Sequence, residues 1–373
     1  MTFKAIPVDS SSVSGSHSDF PVYIKPSAMT GWEALTLAEA QSIRFYSDEA
    51  KTTELAREVV SADELHVKVP SLTTSTTIYA DYDGIRSDYA TDATYGAEAV
   101  WGDYLSVYHL NEAVNNTSGG YIDSAGNLNA TGTSMSLTET DGQIGNAQNF
   151  DGINDEITTP TRSLSASNSI TISAWANRNA SLDGNDGIAS LIRNSSNDGS
   201  GTWQYSLLHN SGNTLRFYSG SGTKSAQAMG SVALPVDTWN YVVGVKNATS
   251  LEIFLYINGT EDATDTLEDS SLNQTDPKTV IGAFRDRTSE RWSGEIDEVR
   301  ITHEPRSADW ITTEYNNQND VASFWGTVTD AEEPAPSGTL GLKLGSTTIN
   351  KVMLGSTEIK KVYLGTTVIY ENL

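Results

Sequence analysis

The sequence predicts an all-β protein: a small β-sandwich, then a large two-sheet sandwich, then a tail of short β-repeats. Three observations carry that prediction. Strand-length apolar and aromatic runs alternate with turn clusters from residue 20 to residue 325. The composition is rich in Thr, Ser, Asn, Gly and Tyr, with modest charge. The last thirty-odd residues repeat one ten-residue phrase three times, LKLGSTTINK, VMLGSTEIKK and VYLGTTVIYE, from Leu342 to Glu371.

Residues 1–18 are polar and Ser-rich and read as an extended arm. Residues 19–97 hold short strands in PVYIKP, SIRFYS, LHVKVP and TTIYADY, with ELAREVV as a strand or short helix, and form the small sandwich. Residues 98–326 open on the strand WGDYLSVYHL and keep strand-and-turn spacing to Trp325, as a large sandwich requires. Residues 327–338 (TVTDAEEPAPSG) read as an acidic, Pro-containing linker. Residues 339–373 are the repeat tail. Within it Leu342/Leu344, Val352/Leu354 and Val362/Leu364 alternate inward, with Ile349, Ile359 and Ile369 on the return strands. Gly345, Gly355 and Gly365 supply turns at positive φ. A segment of that size buries too little surface to stand alone, so it is a docking or oligomerisation device.

At 373 residues the chain has room for two domains and a tail. The net charge of −25 repels nucleic-acid phosphates and anionic membrane surfaces, which argues against DNA, RNA or membrane insertion as partners. Cysteine is absent, which excludes disulfides, thiolate metal sites and cysteine nucleophiles. No apolar run approaches a membrane span. The N-terminus lacks a basic-then-apolar signal pattern, so an outer-surface role is expected to be reached without ordinary secretion.

Four phrases carry a family resemblance. FDGINDEI (Phe150–Ile157), SITISAW (Ser169–Trp175), WNYVVGV with LYING (Trp239–Val245, Leu255–Gly259) and GEIDEVRI followed by Pro305–Tyr315 come in the order of the laminin-G-like, concanavalin-A-type jelly roll. The resemblance covers about residues 98–325 and implies that the large sandwich is a jelly roll. The first block, through Asp19–Ile24, Ile43–Ser47, His66–Leu72 and Thr76–Asp83, resembles a domain of unassigned function that precedes such jelly rolls in bacterial surface proteins. The terminal repeats are similar to short tails on structural proteins of tailed bacteriophages.

Each candidate site in the sequence has a competing structural role. Jelly-roll glucanases keep catalytic carboxylates on one strand. Here Glu295 and Asp297 alternate onto one face, but Arg300 or Ile301 stands where the partner belongs, and alternation puts Glu298 on the opposite face. No catalytic residue is therefore expected. Asp151, Asn154 and Asp155 sit in one tight turn with hard oxygens suited to a structural Ca²⁺; the competing reading is Asx-turn hydrogen bonding. Asp183, Asn185 and Asp186 form a weaker group of the same kind. For a glycan, Trp203, Tyr205, His209, Arg216 and Tyr218 lie on neighbouring strands, with Trp292 as a cap, although alternating aromatics in a sandwich also make core. His17, His66, His109, His209 and His303 are scattered and form no metal-spaced pair. No nucleophile elbow, phosphate loop or dinucleotide fingerprint occurs.

These readings give a non-enzymatic surface protein of a bacteriophage virion, a tail appendage or capsid decoration that displays a lectin-like jelly roll for host-surface glycans. Its expected partners are other virion proteins and further copies of itself, as a trimer built from three repeat tails. A bacterial secreted or cell-surface adhesin is the alternative. A jelly-roll glycoside hydrolase is a second one.

Overall fold

The alternating patterns resolve into antiparallel sheets that build two stacked sandwiches, as the sequence predicts. The computed structural model describes residues 2–332, apart from 162–168, 180–183, 185, 194–202, 211, 221–223, 269–276 and 285–289, and beyond 332 the strands of the terminal repeats.

In the small sandwich a five-stranded sheet runs in the order Thr329–Asp330, Thr2–Pro7, Thr77–Tyr82, Arg44–Tyr46, Glu54–Leu55. A three-stranded sheet, His17–Ile24, Glu64–Leu72 and Arg57–Ser61, packs on it. Ile6, Phe45, Ile78 and Ala80 from the first sheet meet Phe20, Val22, Leu65 and Val67 from the second, all buried. Both ends of the described body close this unit. Thr2–Pro7 pairs along its whole length with Thr77–Tyr82. On its other side it takes Thr329–Asp330, and the Lys4 ammonium meets Asp330 at 2.7 Å. The expected arm and the first part of the expected linker are therefore strands of the small sandwich. The arm hid its strand because Phe3 and Ile6 face opposite ways in a polar run too short to show alternation.

The large sandwich is threaded between those two ends. Its front sheet runs Thr140–Asp141, Asn146–Asp151, Ser293–Thr302, Ile170–Arg178, Trp239–Asn247, Glu252–Ile257, Thr260–Thr266, and Tyr104–Tyr108 also pairs with Ser293–Thr302. Its back sheet runs Ser225–Ala233, Thr214–Gly220, Trp203–His209, Gly187–Arg193, Pro277–Ile281, Glu156–Thr158, Thr131–Thr133. The core between them holds Phe150, Ile172, Leu207, Phe217, Leu255 and Ile296, all inaccessible to solvent. Packing is close: a Cβ on Gly244 would lie 2.1 Å from the Phe217 ring, so only glycine lets the two sheets approach there. The Asn258-Gly259 hairpin has φ of 51° and 79°, the twist a two-residue turn needs at both central positions.

The outer face of the front sheet is covered as well. Trp175, Tyr241, Val243 and Val245 pack against Ile311 and Tyr315 of the helix Ala308–Asn319. Ser307 caps that helix by accepting from the Trp310 N–H. The helix also gives Trp310 to the small-sandwich core. Its Asn317 side chain reads the backbone of Tyr23 at both polar groups, at 2.6 and 2.9 Å. One helix thus belongs to both sandwiches.

The terminal repeat forms three hairpins. Lys343–Leu344 pairs with Thr347–Thr348, Val352–Leu354 with Thr357–Ile359, and Lys361–Leu364 with Thr367–Glu371. Each is a separate two-stranded sheet, and among the described residues none pairs with the body. The three turn glycines and the inward positions Leu342 and Ile349 lie outside the described residues. Among the described residues no helix is long and apolar enough to cross a membrane.

Candidate functional site

The polar concentration of the molecule is at the seam where the three-stranded sheet of the small sandwich meets the closing strand of the large one. Alternation along Glu64–Leu72 buries Leu65, Val67 and Val69 in the small core and turns Glu64 and His66 toward the seam. Glu58 comes from the neighbouring strand Arg57–Ser61. Across the seam, His109 follows Tyr104–Tyr108, and Leu110 takes a positive φ of 59° beside it. Glu298 and Arg300 come from Ser293–Thr302, and Glu314 from the helix.

Glu298 reaches this face because the closing strand is bulged. Glu298 has φ of 52°, and the pairing with Ile170–Arg178 shifts register there, Trp175 opposing Asp297 and Ser173 opposing Arg300. The core-facing residues are accordingly Ile296, then Val299 and Ile301. The extra residue leaves both Asp297 and Glu298 outside the core, where uninterrupted alternation would have turned Glu298 inward. The sequence-based placement of Glu298 on the other face is therefore corrected.

The hydrogen bonding is dense. Glu58 accepts from the Trp101 indole N–H, from Ser124 Oγ at 2.7 Å and from His109 Nε2 at 3.0 Å. On its other side His109 Nδ1 is in short contact with Glu298 Oε1. The Arg300 guanidinium donates twice to Glu298 Oε2, at 2.6 and 3.0 Å, and once to Glu314 at 2.9 Å. It lies over the Trp101 ring, 4.8 Å from the centroid. Asn111 Nδ2 donates to both oxygens of Glu64 at 3.0–3.1 Å. The His66 and His109 rings stack at 4.7 Å. The histidine pair that no spacing revealed is thus made by tertiary packing.

Charge follows from this arrangement. Burial would lower the His109 pKa, but Glu298 and Glu58 on either side hold it well above the ordinary value. Burial would raise Glu58, and His109 overrides it, holding the carboxylate down at about 2. Glu298 is likewise held well below the carboxylate range by His109 and Arg300 against its own burial. Burial, then the Glu298 charge, push Asp297 well up, and its Oδ2 accepts the Ile144 N–H at 2.9 Å. Burial lowers His66.

The residues singled out from sequence are distributed otherwise. Asp151 Oδ1 accepts the N–H groups of Ile153 and Asn154 at 2.7 and 3.1 Å, and Asp155 Oδ2 accepts the Asp151 N–H at 3.0 Å. These are the turn hydrogen bonds of the competing reading. Burial raises the Asp155 carboxyl to about 6. Asp186 accepts from Gly184 N and lies 3.5 Å from His209 Nδ1, while Asp183 and Asn185 lie outside the described residues.

The glycan candidates with described side chains on the back sheet divide between its two faces, and Trp292 lies just before the closing strand of the front sheet. Tyr205 opposes Ser219, and Leu207 opposes Phe217 in the core; Ser206 opposes Tyr218 and Leu208 opposes Arg216 on the other face. Tyr205, His209 and Trp292 are fully buried, Tyr205 and Trp292 in the sandwich core, so none offers a face to a sugar in solution. Trp203 stands in the strand Trp203–His209, its side chain outside the described residues. Arg216 and Tyr218 share the other face, where Tyr218 is buried as well, and Arg216 Nη1 donates to Gln227 Oε1 at 3.2 Å on the edge strand.

Residues 150–312 match the family described as the concanavalin A-like lectin/glucanases superfamily, so this part of the chain is a concanavalin A-like jelly-roll domain. Among solved structures the chain is similar to domain 4 of AbnA, a GH43 extracellular arabinanase from Geobacillus stearothermophilus, in complex with arabinotriose. That match has 20% identity and a TM-score of 0.43 over 56% of this chain and 97% of the other. It is similar to a Trypanosoma rangeli sialidase, at 11% identity and a TM-score of 0.43, over 60% of this chain and 34% of the other. A botulinum neurotoxin serotype D ligand-binding domain in complex with N-acetylneuraminic acid gives 18% identity and a TM-score of 0.43, over 60% and 53%. No curated protein matches the chain.

Replacing Arg300 by Met would strand Glu298 and Glu314 in a buried site. The expected cost is about 3–5 kcal/mol, measured as the loss of unfolding free energy in urea. A loss below about 1 kcal/mol would mean the seam carboxylates reach water.

Proposed function

We propose that this chain is a non-catalytic surface protein of a bacteriophage particle that displays a glycan-binding jelly roll on a rigid base. One observation carries the display reading. The three terminal hairpins are self-paired two-stranded sheets, a form marginally stable in water by itself, so their stability has to come from a partner surface. A particle or further copies of the chain supply that surface, and the similarity of the repeats to phage structural tails favours the particle.

The non-catalytic reading draws support from the closing strand. Two of its three carboxylates are committed elsewhere, Glu298 to His109 and Arg300 and Asp297 to the Ile144 amide, both inaccessible to solvent, which leaves the half-buried Glu295 without a second carboxylate on its strand. A retaining glycosidase needs two carboxyls about 5–5.5 Å apart across a substrate cleft. The glycan reading draws support from the lectin-like family and from the outward face of the back sheet. There the Arg216 fork and the Gln227 amide stand at the sheet edge, planar polar groups of the kind sugar recognition uses, while the Tyr218 ring beside them is buried.

Two measurements check this function. On an array of bacterial envelope glycans the full chain is expected to retain a subset, and Arg216→Ala to weaken that binding about tenfold, the worth of one charge-assisted hydrogen bond. No retained glycan, or binding untouched by Arg216→Ala, removes this face from the account. In light scattering the full chain is expected to show a multiple of the mass of a chain ending at residue 338. Equal masses leave docking to a particle as the tail's only role.

A further inference from the structure

The seam carries more than ion pairs, and this inference goes beyond the display reading. His66 is fully buried, yet neither ring nitrogen has a hydrogen-bond partner. A buried imidazole left so is costly, because its N–H and lone pair have both lost water. Its Nε2 is aimed at Glu64 Oε1, 3.7 Å away, and the same oxygen is 3.7 Å from His109 Nδ1. Glu298 Oε1 completes a group of four ligand atoms, all within 4.8 Å of one another. In a tetrahedral zinc site with bonds near 2.1 Å the ligand atoms stand about 3.4 Å apart. The four side chains therefore need shifts of an ångström or less to close around one ion.

The geometry points to a structural zinc site formed by Glu64, His66, His109 and Glu298, two ligands from each sandwich. Each ligand but His66 already has the outer partner such a site uses to fix orientation. Glu58 takes His109 Nε2, Arg300 holds the free oxygen of Glu298, and Asn111 holds Glu64. Two imidazoles among the four ligands select a first-row transition ion over calcium, which takes six to eight oxygens. The cluster is also rich in carboxyl groups: Glu58, Glu64, Glu298 and Glu314 gather around the one guanidinium of Arg300. On binding, the ion replaces the proton between His109 Nδ1 and Glu298, and that proton leaves to solvent. The ion then ties the two sandwiches together by coordination.

The test is metal analysis of the full chain purified without chelator, followed by zinc titration of chelator-treated protein with melting temperature as a second readout. The expected result is one zinc per chain and a rise in melting temperature that equal calcium does not produce. His66→Phe keeps the ring stack and removes both nitrogens; Glu64→Gln is near-isosteric. Each, with unchanged far-ultraviolet circular dichroism, is expected to weaken zinc binding by more than about tenfold. If a variant fails to fold, the stoichiometry and melting shift of the unaltered chain decide. Less than one zinc with an unmoved melting temperature, an equal response to calcium, or binding undiminished in both variants would each overturn the site.

Discussion

The Glu298–Arg300 pair, with His109 on its other side, is the interaction on which the arrangement of this molecule depends. Both side chains are almost wholly inaccessible to solvent. Such a pair stabilises little relative to an apolar substitute, because desolvation offsets most of the Coulomb gain, but it tolerates only one geometry. His109 carries the pair across the seam to Glu58 of the small sandwich and Arg300 carries it to Glu314 of the shared helix, so the geometry holds only when both sandwiches and the helix meet. The seam therefore specifies how the sandwiches stack, while the apolar cores on either side of it provide the bulk of the stability.

Threading reinforces the same constraint. The jelly roll leaves the small sandwich after Tyr82 and returns through the helix Ala308–Asn319 to Trp325 and Thr329–Asp330, so both of its connections end in one rigid unit. A module tethered at one end swings on its linker. This one is held at two ends, by a helix common to two cores and by a buried polar seam. The seam and the shared helix lie on the front sheet, so the back sheet is on the side away from that base.

Much of this was legible in the sequence. The all-β class, the jelly-roll phrases and the three hairpins follow from period-two alternation and turn chemistry, which act locally. The small sandwich was legible only in outline, because Thr2–Pro7 and Thr329–Asp330 become strands through pairing partners far away in the chain. The seam was not legible at all. Its carboxylates and histidines sit on three separate strands, just past the end of a fourth and on a helix, and a bulge at Glu298 breaks the alternation expected from the sequence. The glycan candidates show the reverse limit: alternation places Tyr205 and Tyr218 on opposite faces, a division visible only once the register is known.

The claim that the seam makes two sandwiches one unit is tested most directly by native-state hydrogen exchange. The account predicts that the slowest amides of Glu64–Leu72 and of Ser293–Thr302 exchange with the same free energy and the same denaturant dependence, in one cooperative opening. Exchange of Glu64–Leu72 through its own opening, at markedly lower free energy while Ser293–Thr302 stays protected, would contradict it.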